Sequence, residues 1–160
     1  MLVLAGSGCS NTMPPPIADS DASFHEWADV FIPPQPVEAS ADGGLSFNLD
    51  FQAQCSTNYE PVWHFFDFQT HTPGTSSLEF VAYTADTEAH LATATGVKLA
   101  TVTGPDITVW EGVDVASALA TQNIMSQAFL RVTVIETPSS DGTDPVLVNY
   151  RQAFDCDVYQ

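Results

Sequence analysis

The sequence predicts an all-β fold, an antiparallel sandwich with one or two short helices. Several segments alternate apolar and polar residues with a period of two. Clusters of Gly, Pro, Asp and Ser separate them, and helical periodicity is rare. Many short strands divided by turns point to sheets packed face to face rather than to a parallel sheet with crossover helices.

The first segment, 1–9, runs from apolar to small residues and ends in Cys9. It resembles the end of a bacterial lipoprotein signal peptide, in which small residues such as Ser7 and Gly8 precede the lipidated cysteine. Gly6 departs from that pattern, no basic residue precedes the apolar run, and the run is shorter than a full signal core. The resemblance implies lipid on Cys9, a membrane partner through that anchor, and a place in the bacterial cell envelope, lipid-anchored or secreted. Residues 10–22 contain Pro14-Pro15-Pro16 and read as a flexible tether. A single sandwich domain then covers 23–160. It opens on a short helix over 23–32, where Ser23 and Glu26 form a capping box and Phe24, Trp27, Ala28 and Phe31 follow helical spacing. The rival reading of that stretch is a linker.

Leu45 to Gln54 alternates without a break, the clearest strand signal in the chain. Val62 to Gln69 is a second strand, read with Trp63, Phe65 and Asp67 on one face and His64, Phe66 and Phe68 on the other. Leu78, Phe80 and Ala82 mark a third, ending near Ala85. Val97–Thr103 and Ile107–Trp110 flank the Gly104-Pro105 turn. Asp114 is placed to cap a short helix reaching about Gln122. Phe129–Glu136 and Val146–Phe154 close the domain as a hairpin. Leu130, Val132 and Val134 form the core face of the first strand; Val146, Val148, Tyr150 and Phe154 form one face of the second.

The order of these elements resembles sandwich modules of bacterial surface lipoproteins. The matching pieces are Pro61 to Gln69, Thr72 to Ser77, Leu130-Arg131-Val132, Ser140-Asp141-Gly142 and Pro145-Val146-Leu147. The resemblance spans about Cys55 to Cys156 and implies a jelly-roll, galactose-binding-like sandwich. Its motifs are structural, so it carries over no catalytic or ligand residue.

Composition narrows the partners. The chain has 160 residues, with 3 Lys+Arg against 20 Asp+Glu and a formal net charge of −17. Nucleic acid is a poor partner for such a surface, because phosphate contacts rely on Lys and Arg. The acids read first as a solvated, self-repelling surface; adaptation to salt and binding of divalent cations are the rival readings.

Of the 3 cysteines, Cys55 and Cys156 show no CxxC spacing, which argues against zinc or thioredoxin-type chemistry. A structural disulfide between them fits an exported protein, and two buried thiols would fit a cytosolic one. His64 and Asp67, three apart on a strand, are not expected to pair. His25, His71 and His90 lack ligand spacing. No nucleophile elbow, zincin motif or Walker loop occurs, so no catalytic residue and no cofactor is assigned. Asp141 and Asp144 frame Gly142, as calcium-binding loops require carboxylate oxygens on a tight turn; the rival reading is a plain Asx turn. Trp63, Trp110, Tyr59 and Tyr83 would form a sugar-stacking platform if exposed, and would otherwise be core.

The expected function is therefore a non-enzymatic surface interaction module with a glycan or protein partner. A hydrolase of envelope polymers using two carboxylates, and a purely structural lipoprotein, remain as alternatives.

Overall fold

The structure, a computed structural model, describes residues 27–30 and 46–158. Its strands are β1 (Trp27–Val30), β2 (Ser46–Gln52), β3 (Tyr59–His71), β4 (Ser77–Ala85), β5 (Val97–Thr103), β6 (Ile107–Asp114), β7 (Phe129–Thr137) and β8 (Val146–Val158). Helix α1 (Val115–Thr121) follows β6, and a 3-10 helix, Glu88–Thr93, links β4 to β5. One sheet has the order β1-β8-β3-β6 and the other β2-β7-β4-β5. Every pairing is antiparallel.

The pairs β1·β8, β2·β7, β3·β6 and β4·β5 nest inside one another along the chain. The fold is thus one long ribbon with its tip between β4 and β5. It is rolled so that β8 also meets β3 and β7 also meets β4. That is the jelly-roll arrangement of eight strands in two sheets.

The core forms where the sheets face each other. Phe66 and Phe68 from β3 meet Phe80 from β4, with ring centroids 5.4 and 4.6 Å apart. Leu78, Leu130, Val132 and Val134 complete this layer, all buried on the alternate positions expected for a half-buried strand. Burial of so many large side chains, at about 1.5–3 kcal/mol each, is the main term holding the sheets together. Asp114 caps α1 as its sequence predicts: Ser117 N–H donates to Asp114 Oδ1 at 2.9 Å. The cap turns the chain at the end of β6, and Val115 and Leu119 of α1 are buried against the core.

Four sequence expectations need correction. First, β7 and β8 do not form a hairpin, because they lie in opposite sheets. Each already has two antiparallel neighbours, and the connection between them crosses from one sheet to the other. Pro138 and Pro145 bracket that connection, and Ser139 and Thr143 close it through a 2.8 Å backbone bond. Second, residues 27–30 are a strand rather than part of a helix. Four residues of W-A-D-V suit either period, and pairing with the far edge of β8 outweighs a helix too short to persist alone.

Third, the faces of β8 switch partway along. Leu147 is buried while Val146 and Val148 are 42% and 48% exposed. Gln69 pairs with Asn149 and Thr70 with Leu147, so Val148 is the extra residue of a bulge. Beyond it Tyr150 and Phe154 point inward as expected. Fourth, β3 bulges between Trp63 and Phe66, which pair with Phe154 and Gln152. Trp63 therefore shares the inner face with Phe66 and Phe68, and Phe65 is turned outward.

Cys55 and Cys156 form a disulfide, with Cα atoms 5.7 Å apart. It ties the connection between β2 and β3 to the far end of β8. The N-terminal signal segment, Cys9, the tether, His25 and the start of the expected helix lie outside the described residues.

Candidate functional site

The outer face of the β8-β3-β6 layer gathers the groups that a ligand would meet. Asp67 on β3 lies between Arg151 on β8 and Gly112 on β6. Arg151 Nε donates to Asp67 Oδ2 at 2.6 Å. The guanidinium carbon of Arg151 lies 4.5 Å from the centroid of the Trp110 ring, a cation–π contact. Further along the same strands Asn149 Nδ2 donates to Gln69 Oε1 at 2.5 Å, and Gln69 Nε2 donates to Thr108 O at 2.8 Å. These bonds fix two side-chain amides beside the Arg151–Trp110 pair.

Gly112 forms the floor. A Cβ there would collide with Asp67 Oδ1 and come within 3.5 Å of Phe65 Cδ1. Only a residue without a side chain lets the Asp67 carboxylate lie over β6, with the Phe65 ring beside it. Phe65 is 50% exposed and Trp110 is 43% exposed. Of the large apolar side chains exposed among the described residues, Phe65, Val109, Trp110, Val146 and Val148 all lie on strands of this one sheet, and Met125 alone lies elsewhere.

The aromatics expected to form one platform are dispersed. Trp63 is 1% exposed, packs on Phe154, and donates its indole N–H to Gln127 O at 2.7 Å. It is core, because the β3 bulge turns it inward. Tyr83 sits on the outer side of β4, in the other sheet, with its ring against Gly96. Tyr59 packs partly buried against the core. Trp110 is the member that reaches the face described above, and Phe65 is the aromatic that accompanies it. The signal for Phe65 lay in Trp63-His64-Phe65-Phe66-Asp67-Phe68: one strand face cannot take Trp63, Phe66 and Phe68 without a bulge.

The described histidines each pair with an aspartate. His64 Nε2 lies 2.6 Å from Asp155 Oδ2, His71 Nδ1 2.8 Å from Asp106 Oδ2, and His90 Nδ1 2.6 Å from Asp86 Oδ1. His64 and Asp67 do not pair, as the sequence suggested. The hydrogen bond from His71, then that from Thr72 N–H, holds the Asp106 carboxyl below its ordinary range, and His90 does the same for Asp86. Among the described residues no group of three His, Cys, Asp or Glu is placed to hold a metal ion.

Asp141 accepts from both the hydroxyl and the backbone N–H of Thr143, an Asx turn that holds its carboxyl below the ordinary range. Asp144 follows in the same exposed loop, and its charge, after burial, helps raise the carboxyl of Glu136. The chain's 3 strong cations are all paired: Lys98 with Glu79 at 2.5 Å, Arg131 with Asp50 at 2.7 Å, and Arg151 with Asp67 at 2.6 Å.

No helix of the described residues is long and apolar enough to cross a membrane. No protein-family model matches the chain, and no curated protein matches it. What the fold itself defines is a two-sheet antiparallel β-sandwich.

Proposed function

We propose that this protein is a non-enzymatic, exported sandwich module, held at the bacterial cell surface by lipid on Cys9, that binds a glycan on the outer face of β8, β3 and β6. One observation carries the reading: Phe65 and Trp110 are exposed on either side of Gly112, beside a fixed set of polar groups. Sugars bury their C–H faces on aromatic rings and satisfy their hydroxyls with amides and charged groups, which Asp67, Gln69, Asn149 and Arg151 supply. The acidic surface favours a neutral glycan over an anionic one.

Affinity electrophoresis of the full chain through gels containing neutral polysaccharides tests the reading. Retardation is expected, with loss in Phe65→Ala and Trp110→Ala and none in Tyr83→Ala. Migration unaffected by every neutral polysaccharide overturns it.

The hydrolase reading has one observation in its favour, the raised carboxyl of Glu136 beside Asp144. It requires reducing ends to be released from such polysaccharides and Glu136→Gln to stop the release. The binding reading expects none from the wild-type protein.

A further inference from the structure

The edge of the same sheet carries a second recognition feature, which does not rest on the glycan reading. Among the described residues β6 is an outermost strand. Thr108 to Gly112 in it are exposed. Alternate residues of an edge strand aim both N–H and C=O away from the sheet, ready to pair with another chain. Proline and lysine commonly blunt such an edge, and β6, ITVWEGVD, contains neither.

What guards it is Glu111. It pairs with Phe68, whose ring is in the core, so Glu111 lies on the side of β6 that faces the second sheet. At the open rim it is nonetheless exposed. A charge in that position opposes a like-charged strand and favours an opposite charge across from it. A second copy of this chain would bring another Glu111 and another net charge of −17. The Lys and Arg of this chain are already paired with carboxylates. We infer that β6 accepts an added strand from a basic, extended segment of another protein, with a Lys or Arg opposite Glu111 and apolar side chains against Val109 or Trp110.

The test is hydrogen exchange of the full chain with and without an alternating lysine–valine peptide matched to the 8 residues of β6. At ten times its dissociation constant the peptide is expected to slow exchange of the exchangeable β6 amides about tenfold. The alternating glutamate–valine peptide is expected to do nothing. Glu111→Lys, a change at an exposed position, is expected to reverse the preference between the two peptides. Equal protection by both peptides, protection elsewhere than residues 107–114, or an unchanged preference in Glu111→Lys overturns the inference. So does β6 already protected in the free protein, or protected by self-association at high concentration, since the edge is then taken by this chain itself.

Discussion

Asp67 and Gly112 stand opposite each other across the β3–β6 pair, and the missing side chain at 112 is what gives the Asp67 carboxylate its place over β6. The same carboxylate holds Arg151 against Trp110. Gly112→Ala is expected to destabilise the fold by about 1–3 kcal/mol through overpacking. Asp67→Ala in the same chain should relieve much of that loss, so the two changes should be far from additive. Urea midpoints of the two single variants and the double variant measure this; additive losses would mean that the two residues are not in contact.

The core face of β7 makes a sharper contrast. Val132 is fully buried, whereas Thr133 lies on the outer face and donates to Asn48 Oδ1 at 2.8 Å. Val132→Asp should cost several kcal/mol, because it buries a carboxylate with no partner. Thr133→Asp should cost less than about 1 kcal/mol. Similar urea midpoints for the two would displace the β7 register by one residue.

The two strands of the expected hairpin show what the sequence made legible. Leu130, Val132 and Val134 could be assigned to the core because β7 is regular and its period of two is unbroken. β8 and β3 misled because each contains a bulge, and a bulge reverses every face beyond it. The sandwich class was readable from strands and turns. Which strands pair was not, because two neighbouring strands with turn formers between them look alike whether they share a sheet or cross between sheets. The candidate site shared that fate: the outward turn of Phe65 follows from the β3 bulge, and Arg151 meets Trp110 only through the β8-β3-β6 order. The Cys55–Cys156 pairing was legible in part: the absence of CxxC spacing argued against zinc or thioredoxin-type chemistry, and the disulfide is formed.

That disulfide closes a sequence separation of 101 residues. Replacing both cysteines by alanine is expected to remove about 4–5 kcal/mol on a chain-entropy account. Chemical denaturation of the double variant checks this, and a loss below about 1 kcal/mol would contradict it.

Two carboxylates should shift stability with pH in opposite directions. The Ser117 backbone and hydroxyl groups lower the Asp114 carboxyl, so its contribution is present above the ordinary carboxylate range and disappears as pH falls through the lowered value. Burial, followed by the charge of Asp144, raises the Glu136 carboxyl. Its protonated form is favoured in the folded state, so stability is lost as pH rises through the raised value. Glu136→Gln should therefore stabilise the protein at neutral pH and have no effect in strong acid. Asp114→Ala should destabilise by about 1 kcal/mol at neutral pH and by less in acid. Melting temperatures across the acid range would show both trends; a Glu136→Gln gain that grows toward acid pH would reverse the sign.

The proposal that the outer face of β3 and β6 receives a neutral glycan is tested most directly by the tryptophan indole N–H resonances of the full chain during titration with neutral oligosaccharides. The Trp110 signal, identified by its loss in Trp110→Phe, should move on addition of sugar. The Trp63 signal should stay in place, since its indole N–H is buried on Gln127 O. Phe65→Ala should weaken the response roughly 3- to 10-fold, the loss of one aromatic contact. A Trp110 signal that stays still through every titration, or a response unchanged in Phe65→Ala, would contradict the account.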